Sequence, residues 1–465
     1  MISARSRRQR LNGSRLLAAC MCACLIFSCA SPRKTVKPTL PPSVPIEEEE
    51  KVKVYDPNSD SDILVPREAV KVDTIKWSKD PTSPIVSDNV IIKDKPVTKN
   101  AYDVALLMPF NAINAELFGD QVDPKLNRFI QYYAGMILAK EAIDSLGLAI
   151  TVHTYDANAA TTTLAKIIES PEIKKADVLV GPYEKKDVEL VAAYGLSHEK
   201  MVVSPWLSSF TLETENPFFI QLYPSLSAHA LAIMDFIKND MAGKKVFVVA
   251  RNNPTEINRI KLFTGYTDVK VEELIINDSS PDLLKTDLHK YLDDDRGTIF
   301  ILPYYMKTDE SFVNSFMRKL HADKDTREAI VFGLPQWIGF TNLNANYMES
   351  LSLHLSISSF IDIASPAYSS FRSEFLKTFH TVPDLNAFQG YDLMMWLADR
   401  LAKKGQDGLI GDMDPTSYGL ASGFDIRPVY KTDAISQAEM KAPLYYENRR
   451  IRILQYIEQD FKLVR

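Results

Sequence analysis

From Tyr102 to the C-terminus, apolar positions fall into two alternating spacings. Short solid runs read as strands covered on both faces, the first being Val104–Met108, closed by Pro109. Between the runs, apolar residues recur at helical spacing. Phe129, Tyr132, Tyr133, Met136, Ile137, Ala139 and Ile143 make one such face, which Gly147 ends. Leu148–Tyr155 is then a second β-rich run. A helix between two such strands implies parallel pairing through a right-handed crossover. Ligands of sheets built this way usually bind beyond the carboxyl ends of the strands. The 18-residue connection Phe110–Asn127 is long for such a unit and is a candidate cap or partner surface.

The alternation continues. Helices are predicted over Thr163–Ile168 and Asp187–Tyr194, and strands over Ala176–Val180, Met201–Val203 and Phe218–Leu222. A second series repeats the order. Its strands are Lys245–Ala250, Val269–Ile276, Thr298–Leu302 and Ala329–Phe332, and its helices Ala228–Ile237, Thr255–Thr264, Leu283–Leu292 and Glu310–His321. Leu351–Ser358 alternates strictly, as expected of a strand exposed on one face or of a segment crossing between lobes. Phe371–Phe379 and Tyr391–Lys404 have the pattern of amphipathic helices. Near the end, Gly423–Val429 and Arg450–Ile457 are β-like, with Tyr445-Tyr446-Glu447-Asn448 as a turn between them. Together these predict an α/β protein of two doubly wound, parallel-sheet lobes.

The first hundred residues differ. Arg5, Arg7, Arg8, Arg10 and Arg15 precede the apolar run Leu16–Phe27, which has the layout of a secretory signal and is too short for a typical membrane span. It ends in Ile26-Phe27-Ser28-Cys29, which resembles a bacterial lipobox and implies cleavage after residue 28 with lipid on Cys29. An ordinary signal cleaved nearby without lipid is the alternative. All four cysteines lie in this leader, so the exported body has no internal disulfide, no Cys-ligated metal and no thiol nucleophile. Residues 29–100 read as a tether. Ala30–Asn100 holds ten of the 26 prolines and no glycine, too little apolar surface to fold alone. Val52–Tyr55 and Val90–Ile92 are short β-like pieces within it. A formal charge of −6 with mixed signs argues against a nucleic-acid partner.

The ordered set of these segments resembles the type I periplasmic-binding-protein fold, in particular leucine/isoleucine/valine-binding-protein-like lipoproteins of Bacteroidetes type. Ala105–Phe110 and Tyr133–Gly147 carry the opening strand and helix, and Gly181-Pro182 and Ser204-Pro205 close two strands. Pro217–Ser225, Ala387–Asp392 and Leu397–Gly405 match a crossing segment and a late helix. The resemblance implies two lobes joined by three crossings, near Tyr223–Ser227, Leu353–Ser359 and Lys404–Gly411. One lobe would be 102–223 plus 360–404, the other 224–352 plus 410–465, with a ligand clamped between them. It implies that hydroxyls and N–H groups on Gly181–Lys185 and Ser204–Ser209 hold the ligand, with Ser204 and Ser208 as donors. Where amino-acid binders usually carry a hydroxyl cluster, this chain has Tyr183-Glu184-Lys185-Lys186. An acidic side chain there opposes a free α-carboxylate.

Aromatic and polar residues at other strand ends complete the candidate site: Tyr183, Trp206, Arg251, Asn252, Tyr304 and Trp337, with Tyr305 alongside. Catalytic chemistry has no counterpart in the sequence. There is no GxSxG, P-loop, GxGxxG after a strand or HExxH, and the seven histidines are dispersed. Neither a cofactor nor a metal is expected. The expectation is a lipid-anchored periplasmic solute-binding protein that closes on a small polar, amino-acid-like or peptide-like ligand, working with an ABC permease or as a sensor. The alternative is an outer-membrane lipoprotein regulating a cell-wall enzyme, a peptidoglycan synthase, through protein contacts. In both, the chain sits in the envelope on Cys29, at the outer membrane facing the periplasm, because no aspartate follows Cys29.

Overall fold

The computed structural model describes residues 51–56, 61–66, 99–111, 117–118, 121–410 (apart from 146, 159–162, 209–211, 213, 279 and 281–282), 419–430 and 443–464. The leader, Cys29 and Val90–Ile92 lie outside them. The chain divides into two compact units, Met1–Val90 and Ile91–Arg465. The first contains an antiparallel hairpin of β1 (Lys51–Asp56) and β2 (Ser61–Pro66), so Val52–Tyr55 does lie in a strand.

The second unit is built on two seven-stranded sheets. In chain order the first takes β3 (Ala101–Met108), β6 (Ala149–Asp156), β7 (Val178–Val180), β8 (Met201–Ser204) and β9 (Phe219–Gln221). The second takes β10 (Lys245–Arg251), β11 (Val271–Ile276), β12 (Thr298–Ile301), β13 (Ala329–Gly333) and β14 (His354–Ile357). Neighbours in these two sets pair in parallel, as solid apolar runs require when helices cover both faces. Alternate residues of β3 serve opposite faces. Val104, Leu106 and Met108 pack with Phe129, Tyr132 and Leu397, whereas Ala105 and Leu107 pack with Val188 and Val191.

The tail departs from the expected assignment to one lobe. β15 (Ile426–Val429) and β16 (Tyr445–Asn448) extend the first sheet beside β9, and β17 (Arg452–Ile457) and β18 (Asp460–Leu463) extend the second beside β14. Tyr445–Asn448 is therefore a strand and not a turn. The Glu447 carboxylate explains its place: it is buried and accepts from Ser225 N at 2.7 Å and Gln221 Nε2 at 3.3 Å, tying the tail to the first crossing.

Three further expectations are corrected. Leu351–Ser358 is not half exposed: all four residues of β14 are buried. Leu283–Leu292 is not a helix beyond the short 3-10 turn His289–Tyr291. Its N–H groups are taken by carboxylates, Lys285 N by Asp278 at 2.6 Å and Leu288 N by Asp323 at 3.0 Å. Within the long connection, β4 (Leu117–Phe118) and β5 (Gln121–Val122) pair antiparallel. The helix that follows begins at Pro124, with Asp123 Oδ1 accepting from Lys125 N.

β14 stays buried because its polar positions find partners inside. Ser356 Oγ lies 3.0 Å from His229 Nδ1, and the His354 ring stacks on Phe332. Burial pushes both imidazoles down to about 4. The unfolded chain takes up these protons near pH 6.5, so it binds more protons than the fold between pH 6.5 and about 4. Asp392 acts in the opposite sense. Burial pushes its carboxyl up to about 6, despite N–H bonds from Leu420, Ala421 and Ser422. Two histidines outweigh one aspartate. The urea midpoint of the body should therefore fall between pH 7 and pH 4.5, and fall less in His229→Gln. A flat profile would contradict this account.

Candidate ligand site between the lobes

At the carboxyl ends of the first sheet the chain turns sharply. Gly181 has φ +95°, and a Cβ there would meet Leu107 O at 2.3 Å, so only glycine lets β7 leave the sheet beside β3. Tyr183 and Trp206 follow β7 and β8. They meet edge to face at 6.2 Å, and both pack on Phe129, at 5.2 and 5.4 Å between ring centroids. Tyr132 closes the group at 5.2 Å from Trp206. The Arg128 guanidinium covers it, 4.4 Å from the Tyr183 ring and 4.5 Å from Phe129, and its Nε has no hydrogen-bond partner. Ser204 is fully buried with its Oγ unbonded, and Ser208 is half-buried at the cleft. Ser209 is outside the described residues. Glu184 is the N-cap of the helix Lys185–Ser197 and makes no side-chain cap bond.

The second sheet's strand ends are occupied by their own side chains. Arg251 pairs with Glu256 and Asp309, each at 2.5 Å. Its N–H donates to Glu256 Oε2 and to the Tyr304 hydroxyl, which donates to the same Oε2 at 2.8 Å. Trp337 donates Nε1–H to Tyr304 O at 2.7 Å. Tyr304 and Trp337 are fully buried, so the structure puts them in the core of lobe two instead of lining a cleft. Asn252 bonds Asn277 on the surface. Tyr305 is the exposed aromatic of this group, under Arg259.

Ser208, Tyr223, His229, Tyr305 and Gln336 line a cavity of about 270 Å³ between the two sets of strand ends. Of the eight expected site residues it brings in Ser208 alone. Drug-sized ligands usually occupy about 300–1,000 Å³. Arg128, Glu256 and Asp309 were not singled out from the sequence, and the local signal was slight, since Asp309 acts across 58 residues. Among the described residues no group of His, Cys, Asp or Glu is placed to hold a metal. No described helix is long and apolar enough to cross a membrane.

Two parallel-dominated sheets with flanking helices, joined at shared crossings, define the type I periplasmic-binding-protein fold. Among solved structures, a putative branched-chain amino acid ABC transporter protein from Rhodospirillum rubrum superposes with a TM-score of 0.54 at 13% identity, over 78% of this chain and 100% of that one. LpoA from Haemophilus influenzae gives 0.52 at 15% identity over 79% of this chain, which spans 60% of LpoA's length. The LpoA C-domain, described as a regulator of PBP1A, gives 0.50 at 14% identity over 78% of this chain and all of that domain. No protein-family model and no curated protein matches the sequence.

Proposed function

We propose that this chain is a non-catalytic envelope lipoprotein, held through Cys29 at the outer membrane, that acts by protein contacts as a regulator of a cell-wall synthase. The observation that carries this reading is the state of the strand ends. Arg251, Tyr304 and Trp337 are bonded to the protein itself, and at the first sheet's strand ends Tyr183 and Trp206 pack into an aromatic cluster. The fold shared with the LpoA C-domain is compatible with it. A tether of some seventy residues suits a protein that reaches across the periplasm.

The solute-binding reading is favoured by the 270 Å³ cavity and by Arg128, a cation with a free Nε at the strand ends. The two readings separate in one pair of measurements. The soluble body is heated with amino acids, short peptides and muropeptides, and its effect on purified wall synthase from the same cells is assayed. The regulatory reading expects no thermal shift and a several-fold change in synthase rate. A small-molecule shift lost in Arg128→Gln and Ser208→Phe, with no effect on the synthase, would replace it with the solute reading.

A further inference from the structure

An open sheet ends in an edge strand on either side, so the two seven-stranded sheets present four edges: β15 and β6, β11 and β18. An edge strand offers a row of unpaired backbone N–H and C=O groups, and proteins usually blunt it with charge, proline or shortness. Three of the edges are blunted in this way. β11 carries Glu272 and Glu273, with Lys270 just before it. β15 has four residues, Arg427 and Pro428 among them. β18 also has four, including Asp460 and Lys462. β6 is different. Its eight residues, AITVHTYD, include Ile150, Thr151, Val152, Thr154 and Tyr155, the side-chain types that favour strands most. It contains no proline, lysine or arginine. His153 bonds Asp103 at 2.8 Å, and Asp156, at the strand's end, accepts from Asn111 N and Asn158 N at 3.0 and 3.1 Å. Among the described residues β6 pairs with β3 alone, along its whole length, and Ala149, Thr151 and Thr154 are exposed.

We propose that β6 is a self-association edge, which pairs antiparallel with β6 of a second copy of this chain. The strand's own sequence names the occupant. A two-fold axis normal to the sheet carries each face into itself, so even-numbered residues meet even and odd meet odd. With the axis at Val152, Val152 opposes Val152, Ile150 opposes Thr154, Thr151 opposes His153 and Ala149 opposes Tyr155. No like charges meet, and most pairs join β-branched or aromatic side chains, which support antiparallel ladders. Ile150 and Val152 already pack in the core with Phe129, Tyr132 and Met136, so the apolar face of one copy continues into the other. Moving the axis to His153 would set Asp156 against the buried Ile150 twice and histidine against histidine. The pattern therefore selects one register. β6 lies at the opposite edge of the first sheet from β15 and β16, so pairing leaves the tail strands untouched. A ladder this short makes a small interface, and the association is weak.

The test uses the chain from residue 29 on with Cys29→Ser, which removes its last native thiol. Sedimentation velocity in the upper micromolar range should show a monomer–dimer equilibrium. Thr151→Lys puts an ammonium at an exposed edge position, with its two copies diagonal to each other across the ladder. It should weaken association at least about tenfold while leaving the urea midpoint unchanged. Val152→Cys reads the register. Directly opposed Cα atoms in an antiparallel ladder stand about 4.5–5.5 Å apart, within disulfide reach. Mild oxidation should therefore cross-link this variant into a dimer. Thr154→Cys, which faces Ile150 of the other copy, should stay largely uncross-linked. A monomer at every concentration, a dimer indifferent to Thr151→Lys, or equal cross-linking through both cysteines would overturn the proposal.

Discussion

Gly135→Ala should destabilise the body by roughly 3 kcal/mol, the upper part of the range for overpacked contacts. The same change inside an unconstrained helix should stabilise it by about 1 kcal/mol. The sign reverses because two helices touch backbone to backbone. A Cβ on Gly135, in the helix Pro124–Ser145, would stand 1.9 Å from Ala387 O. A Cβ on Gly390, in the helix Leu385–Lys404, would stand 2.0 Å from Tyr132 O. Neither carbonyl can move without its helix, so relief means separating helices that bury Tyr132, Met136, Leu393 and Leu397 between them and the first sheet. Gly390→Ala should cost a similar amount. The double variant should cost less than the sum, because helices parted by one methyl make room for the other. Urea midpoints at an unchanged slope would measure all three. A stabilised Gly135→Ala would mean that the helices are not in this contact.

Both glycines sit in segments that carry the family resemblance, but their packing role cannot be read from the words alone. What could be read was whatever a short stretch decides for itself. β3, β7, β8, β10, β12 and β13 are solid apolar runs because each is covered on both faces, so their character shows residue by residue. β14 misled because its polar positions are satisfied by distant partners, Ser356 by His229 across 127 residues. Tyr445–Asn448 misled for the same reason, since Glu447 is fixed by Gln221 and Ser225, more than 220 residues earlier. The site followed this rule too. Sequence reasoning found the strand ends but assigned their side chains to a ligand, where the fold turns most of them on one another.

Arg251→Met is the variant on which the two accounts of the strand ends disagree most. If Arg251 were kept for a ligand, methionine would spare stability and remove binding. In the structure it holds two carboxylates, Glu256 and Asp309, whose side chains are 8% and 7% exposed. Removing the cation leaves both without their main counter-charge. Breaking a buried pair this way costs about 3–5 kcal/mol, and a result toward the lower end fits Arg251 itself, which keeps 36% of its side chain exposed. Burial pushes the Glu256 carboxyl up, yet bonds from Arg251, Asn253 and Tyr304 bring it below its usual range. Without Arg251 the burial effect dominates, the carboxyl rises, and protonation relieves the strain. The deficit should therefore be largest at pH 7.5 and shrink toward pH 4.5. Arg251→Lys should recover part of it, since a point charge reaches one carboxylate but cannot fork to both. A variant as stable as the parent at pH 7.5 would return Arg251 to the cleft and reopen the case for a ligand there.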